Sequence, residues 1–358
     1  MSRVRTRGEE IRHFIIANVE KHPSEISKVT AGHFGITRQA VNKHLQRLTK
    51  ELALAEKGKT RSRSYKLSPL LEWRKVYEIT PELAEDLVWT NDISGVIGRL
   101  PENVLDIWRY GFTEMFNNAI DHCGGTAIFV QVRRTAKDTE MLISDNGIGI
   151  FKKIQMVLNL LDERHAILEL SKGKLTTDPK KHTGEGIFFT SRMVDSFDIF
   201  SGGVYFSHLF GDAEDWILEK DKFEHGTVVW MKLDNHTARR EEQIFNQYSM
   251  GDDYGFNKTV VPVKLAQYGE DKLISRSQAK RLLARVELFK VVVFNFKEVE
   301  SIGRAFADEI FRVFAKQHPE IELASIHANS QVKRMIERAK SGAPPLAEIL
   351  PPAPPATE

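Results

Sequence analysis

Apolar residues near the start of the chain recur every three to four positions, at Ile11, Phe14, Ile15 and Val19. His22-Pro23 stops the run, so the spacing predicts a helix from Gly8 to Val19. A second short helix follows through Ile26, Val29 and Phe34, and Gly35 supplies a turn. Thr37 then caps a third helix that carries Val41, Leu45 and Leu48 on its inner stripe. Leu52 to Lys57 and Ser62 to Leu67 read as two short strands around Gly58-Lys59-Thr60-Arg61. A connector opens at Pro69, with helices expected around Pro81 to Leu87, where Thr80 is the cap, and around Pro101 to Tyr110. A polar-faced helix from about Val104 to His122 precedes two strands, Ala127 to Arg133 and Glu140 to Ser144. Ile154, Val157, Leu158, Leu161 and Leu168 mark a helix from Phe151 to Leu170, and Ile187 to Val194 forms another. Strands at Phe197 to Ser201, Val204 to Leu209, Trp216 to Glu219 and Thr227 to Leu233 are expected to complete a mixed sheet.

The pattern then changes to alternation of strand and helix. After a polar bridge, residues 235–257, Thr259 to Ala266 reads as a strand and Ser277 to Val286 as a helix. Val291 to Phe296 is a continuous apolar run expected of a buried strand. Gly303 to Lys316 is helical with Phe306, Ile310, Phe311 and Phe314 inward, Glu322 to His327 is a strand, and Gln331 to Ala339 a helix. Such alternation predicts a small α/β layer. Six of the last fifteen residues are proline, so the tail from Ser341 is expected to be disordered.

A length of 358 residues implies two or three domains. No apolar run approaches the roughly 20 residues that a membrane helix needs, and no signal-like segment opens the chain, so a cytoplasmic location without membrane contact is expected. Cys123 is the single cysteine, which rules out an internal disulfide and a cysteine-based metal site. Residues 1–68 hold 15 Lys and Arg against 6 Asp and Glu, an excess of nine. The whole chain is only +2, so the remainder is −7. A partner carrying phosphates is therefore expected at the N-terminal end.

The third helix leaves Thr37, Arg38, Gln39, Asn42, Lys43 and Arg47 on or near its outward side. Hydrogen-bonding residues at the start of a second helix after a turn are what reading the major groove requires. Residues 1–68 resemble a winged helix-turn-helix, and the resemblance implies DNA binding, with Arg61 and Arg63 on a wing against phosphate or minor groove. The alternative is a three-helix protein-docking module with a solvated basic face.

Three further segments stand in a fixed order: Glu114-Met-Phe-Asn117-Asn118-Ala-Ile-Asp121-His122, then Asp145-Asn146-Gly147-Ile148-Gly149-Ile150, then Thr183-Gly184-Glu185-Gly186-Ile187. Each has an ordinary reading alone, the middle one as a tight turn and the first as a polar helix face. In this order they resemble the N, G1 and G2 boxes of the GHKL ATPases, the superfamily of gyrase-type ATPases, MutL-type repair proteins, heat-shock chaperone ATPases, histidine kinases and anti-sigma-factor serine kinases. Glu114 and Asn118 lie one helical turn apart on one face. The resemblance implies that Glu114 is the general base and Asn118 the Mg²⁺ ligand, with Asn117 and Asp121 ordering ATP. It implies that Asp145 accepts a hydrogen bond from the adenine amino group, that Gly147 and Gly149 let the backbone approach the base, and that Thr227, after Gly226, is a phosphate contact. A basic segment with Lys172, Gly173, Lys174, Lys180, Lys181 and His182 falls where the family places a mobile lid, Lys181 being its candidate nucleotide contact. Gly184 and Gly186 would offer amides at a helix N-terminus to the phosphates. Phe188 departs from the family pattern, standing where a third glycine often falls. No histidine lies between Leu67 and Glu114, which argues against a conventional histidine kinase. The region after the ATPase segment is too short and differently patterned for the gyrase-type or MutL-type transducer.

The C-terminal elements resemble, in order and size, a STAS-like domain, the fold of anti-sigma-factor antagonists. The resemblance makes Ser301 a candidate phosphoacceptor, although serine there also serves as a plain helix cap. Asn295 replaces the acidic residue usual at the end of the preceding strand. The expected fold is multidomain α/β: a winged helix over 1–68, a helical connector over 69–103, a GHKL (Bergerat) α/β sandwich over 104–236, a STAS-like domain over 258–340 and a tail over 341–358. The expected function is an ATP- and DNA-binding regulator, with a sigma-factor-like or other regulatory protein and a second copy of the chain as candidate partners. The alternatives are a serine kinase acting on its own STAS-like domain, a DNA-stimulated clamp-type ATPase, and a module in which nucleotide is only a structural ligand.

Overall fold

Ile11, Ile15 and Val19 face Ile26, Val41, Leu45 and Leu48 in one core, which closes α1 (Arg3–Asn18), α2 (Ile26–Phe34) and α3 (Arg38–Lys50) around them. The computed structural model describes residues 3–59, 62–175, 184–211, 215–219, 225–249, 255–267 and 272–342. Thr37 caps α3, its hydroxyl oxygen accepting the Ala40 N–H at 3.2 Å. β1 (Leu54–Lys57) and β2 (Ser64–Leu67) form an antiparallel hairpin, and Leu54, Tyr65 and Leu67 add to the same core. Arg61 lies outside the described residues. Two units emerge along the chain: residues 1–150, 190–210 and 220–241 make the first, and 151–189, 211–219 and 242–358 the second.

The expected helical connector starts instead as a strand, β3 (Leu71–Glu78), paired antiparallel with β4 (Ala127–Arg134) along its whole length. Its signal was a partial period two: Leu71, Trp73 and Tyr77 are at least half-buried while Glu72, Arg74 and Glu78 are exposed, with Lys75 and Val76 both exposed between them. The next helix begins later than expected, as α4 (Glu85–Val88), and runs through a π-helical turn (Trp89–Ile93) into α5 (Ser94–Ile97). Thr80 and Pro81 form a turn closed by Leu83 N–H on the Thr80 carbonyl, and Ala84 takes the cap position. The residue before proline is pushed to extended backbone, while Glu85 and Asp86 suit a first turn. The two helices expected from Pro101 and from Val104 are a single one, the 21-residue α6 (Glu102–His122).

α6 packs Val104, Ile107, Trp108, Phe112, Met115 and Phe116 fully inward. Gly111 lets it approach closely, since a Cβ there would stand 3.1 Å from Thr190 and 3.5 Å from the sulfur of Met231. The sheet holds β4 (Ala127–Arg134), β5 (Asp138–Asp145), β6 (Ser196–Ser201), β7 (Val204–Leu209) and β9 (Thr227–Asp234), in the order β3-β4-β5-β9-β6-β7. Where a mixed sheet was expected, the five described ladders joining these strands are all antiparallel. The turns dictate this. Gly202 and Gly203, at φ 61° and 83°, close a two-residue hairpin, and only antiparallel strands can be joined so tightly. β8 (Asp215–Glu219) belongs to the second unit.

In the second unit the single helix expected from Phe151 to Leu170 is two, α7 (Ile150–Val157) and α8 (Glu163–Lys172). Asn159 is left-handed at φ 51°, and Asp162 caps α8 by accepting the His165 N–H at 3.0 Å. Lys172 is not part of a mobile basic segment. It is the last residue of α8, 1% exposed, with Nζ 2.7 Å from Glu169. Gly186–Met193 forms α9. The expected polar bridge contains α10 (Glu241–Tyr248). β10 (Lys258–Pro262), β11 (Val291–Asn295) and β12 (Glu322–Ile326) make a parallel sheet in that order, with the continuous apolar run as its central strand. The strand expected to reach Ala266 stops at Pro262 and becomes a 3-10 turn (Val263–Ala266). α11 (Arg276–Leu283) begins with a capping box between Ser275 and Gln278. α12 (Arg304–Asp308) continues through a π-helical segment (Glu309–Phe314) into α13 (Ala315–Gln317), and α14 (Ser330–Ser341) closes the described chain. Among the described residues, no helix is long and apolar enough to cross a membrane.

Candidate functional site

In the first unit, β5 ends at Asp145 and β9 begins at Thr227, and one hydrogen-bond network joins them. Asp145 Oδ1 accepts the Gly147 N–H at 2.9 Å and the Thr227 N–H at 3.3 Å. The Thr227 hydroxyl oxygen accepts the Ile150 N–H at 3.0 Å, and Gly226 N–H donates to the Gly147 carbonyl at 2.7 Å. Asn146 locks the other side of the turn: its Oδ1 accepts the N–H groups of Thr126 and Ala127 at 2.8 and 3.1 Å. Gly147 is required by proximity, because a Cβ there would fall 2.0 Å from the Cys123 carbonyl oxygen. Gly149 is required by its φ of 89°, and a Cβ would also meet Ser201 Oγ at 2.4 Å.

Burial pushes the Asp145 carboxyl above the ordinary carboxylate range, and the bonds from Gly147 and Thr227, which favour the anion, offset part of that rise. The result is an acceptor fixed in direction and partly stripped of water, suited to a planar N–H donor. Two of its supports went unread in the sequence. Ser201 donates to the Gly226 carbonyl at 3.1 Å, and Asn146 clamps the strand start. An Asn-Gly step signals only a turn, so it carries no hint of a clamp 20 residues away.

α6 is tied to this turn at its end, where the Cys123 carbonyl accepts the Ile148 N–H at 3.0 Å. Glu114, Asn117 and Asn118 are half-buried on α6, and Asp121 is exposed in its last turn. Their neighbours Met115, Phe116 and Ala119 are buried, so the helix presents its polar edge from a fixed base. Among the described residues no group of three or more His, Cys, Asp or Glu could hold a metal ion.

In the second unit, Leu175 N–H donates to the Gly184 carbonyl at 3.0 Å, and the Glu185 carbonyl accepts the Phe189 N–H at 3.0 Å as α9 begins. Gly184 and Gly186 thus stand at the first turn of a helix. Burial raises the Glu185 carboxyl, and Lys174 opposes the rise. Lys180, Lys181, His182 and Thr183 lie outside the described residues. Phe188 has a packing role: it is 1% exposed, with Phe256 at 4.5 Å, Tyr248 at 4.9 Å and Phe189 at 5.3 Å between ring centroids.

On α3, Thr37, Arg38, Gln39, Asn42, Lys43 and Arg47 are all exposed. Arg47 pairs with Glu51 at 2.7 Å and Arg63 with Glu56 at 2.9 Å, while Asn42 Oδ1 accepts the Ser27 hydroxyl at 3.3 Å. Arg38 and Asn42 come from successive turns of α3, with Lys43 next to Asn42, and Arg63 comes from the loop between β1 and β2.

The parallel sheet of the second unit places Asn295 at the end of its central strand. Asn295 is 3% exposed, and its Oδ1 accepts the Lys297 N–H at 3.1 Å and lies 2.9 Å from His327 Nδ1. Residues 278–333 match the family model described as a STAS-like domain of unknown function (DUF4325). No curated protein matches the chain. Within the STAS-like region, Ser301 is half-buried, and it is not the cap of α12. That position belongs to Gly303, which makes no side-chain cap bond. The neighbouring Ile302 forms a parallel bridge with Leu273.

Proposed function

We propose that this chain is an ATP-binding, DNA-binding regulator, in which Mg-ATP bound by a GHKL-type domain controls a winged helix and a STAS-like module. The observation that carries the reading is the half-buried carboxylate of Asp145, aimed by two backbone amides in a turn where glycine is demanded by contact with the end of α6. Carboxylates raised by burial cluster at functional sites, and Asp145 is one. Bound Mg-ATP would supply a labile γ-phosphoryl group. Asp145 accepts the amino hydrogen of the base, and Asn117 and Asp121 order the nucleotide. The amide oxygen of Asn118 would hold the ion, and Glu114, one turn away, would act as the base toward a water. Gly184 and Gly186 offer amides to an anion at the start of α9, and Lys181 would add positive charge.

The deciding experiment incubates the full chain with γ-labelled Mg-ATP, with and without duplex DNA, and follows free phosphate and protein-bound label together. Binding by wild type with turnover lost in Glu114→Ala, and ATP still bound, is the expected result. No binding by wild type up to about 1 mM ATP refutes the reading.

A serine kinase acting on Ser301 is the second reading, favoured by one observation: the hydroxyl is not spent on capping α12. Label retained by wild type and missing from Ser301→Ala identifies that activity. Phosphate release stimulated by DNA, with no label retained, points to a clamp-type ATPase.

A further inference from the structure

The STAS-like region grips the end of α8 and the residues after it. The Lys172 ammonium spends its three donors on Glu169 Oε1 at 2.7 Å and on the carbonyls of Arg281 and Ala284 at 3.2 and 2.7 Å, where α11 ends. Glu169 Oε2 lies 3.5 Å from Arg285, whose guanidinium also donates to the Lys174 carbonyl. The Lys174 ammonium donates to the Leu288 carbonyl at 3.0 Å and sits 4.9 Å from the Phe289 ring centroid. The next residue, Leu175, donates to the Gly184 carbonyl, and a Cβ on Gly184 would strike the Leu175 backbone at 2.4 Å. Residues 281–289 of the matched stretch therefore hold 169–174, and Leu175 passes that position on to Gly184.

Charge makes the grip specific. Glu169 and Lys172 are each 1% exposed, so their ions are stable only while every partner stays in place. Arg285 holds a left-handed φ of 62°, a conformation that a non-glycine residue keeps only when its surroundings enforce it.

We propose that Lys172 and Arg285 are positioning residues for the Gly184-Glu185-Gly186 turn, through which the STAS-like region sets the affinity of that turn for nucleotide phosphates. The consequence for ATP rests on the function proposed above; the mechanical link does not. A partner that displaces residues 281–289 would then release nucleotide without touching it.

The test uses full-length Arg285→Ala, with Lys174→Ala as the milder variant should the first fail to fold, and two readouts. Hydrogen exchange is measured at the Leu175 and Phe189 amides, with Val292 and Val293 of the central strand as internal reference. Affinity is measured separately for Mg-ATP and Mg-ADP. The expected result is exchange at Leu175 and Phe189 faster by about tenfold or more with the reference unchanged. Mg-ATP should weaken by about tenfold and Mg-ADP by less, since a general loss of folding would weaken both alike. Unchanged exchange at Leu175 and Phe189 overturns the positioning role, whether or not wild type binds ATP. Faster exchange with unchanged Mg-ATP affinity, in a protein that binds it, also overturns the proposal. A wild type that binds no Mg-ATP refutes the nucleotide reading alone, and the exchange data then decide the link.

Discussion

Gly147 shows how one missing side chain builds the site. Its Cα stands against the Cys123 carbonyl, and a methyl group there would sit 2.0 Å from that oxygen. Gly147→Ala is expected to lose about 2 to 3 kcal/mol of stability, read as a shift in the urea midpoint at constant slope. Asp145→Asn should act in the opposite direction. The raised carboxyl binds its proton more tightly folded than unfolded, so the ionised acid costs stability above the folded pKa. That cost vanishes as pH falls below the ordinary aspartate value of about 3.9. The asparagine variant, which keeps an oxygen for the two amides, should equal or exceed wild type in stability at pH 7, with the gap closing in acid. Its ATP affinity should fall by about tenfold, as a charge-assisted hydrogen bond becomes a neutral one. A variant less stable at pH 7 than at pH 4, relative to wild type, contradicts this account.

Helix caps and buried pairs decide the elements. Thr37→Ala removes the oxygen that receives Ala40 N–H and should cost about 1 kcal/mol, measurable by thermal unfolding. If α3 and the hairpin meet DNA, Arg38→Ala with Arg63→Ala should lower affinity and flatten the plot of log affinity against log salt by about 2 units. An unchanged slope returns the module to protein docking. At α8, Glu169→Gln or Lys172→Met alone should cost about 3 to 5 kcal/mol, since each strands a buried charge. The double variant should recover most of that loss, and simple additivity in the cycle would show that the pair is not coupled. These elements also show how far local signals reach. Thr37 before an apolar stripe and Val291 to Phe296 carried signals strong enough to place a helix and a buried strand. β3 was hidden because the prolines on either side of it, Pro69 and Pro81, signal turns more strongly than its alternation signals a strand. The burial of Lys172 was hidden because a lysine beside glycine looks solvent-exposed until its partner Glu169 and the end of α11 are in place.

For the whole molecule, the proposed function makes a linkage prediction. If nucleotide controls DNA binding, DNA must change ATP affinity by the same factor, typically about 5- to 150-fold. Titrating Mg-ATP with and without duplex DNA, and DNA with and without Mg-ATP, should give equal ratios. Affinities that each ligand leaves unchanged in the other would show two independent activities on one chain. By itself, the sequence determined the local units: the three-helix opening, the long polar-faced helix, the strand ending at Asp145 and the alternating C-terminal elements. Each follows from periodicity, caps and glycine positions over roughly 20 residues. It also singled out Asp145, Gly147, Gly149 and Thr227 as candidate site residues, because their order along the chain is distinctive. Only the tertiary structure decided that Asp145 and Thr227 share one hydrogen-bond network, that the central strands are antiparallel, and that Lys172 is buried under the STAS-like region. Those facts depend on groups tens of residues apart meeting in space, where burial and partner geometry, rather than local propensity, set which charges and glycines are tolerated.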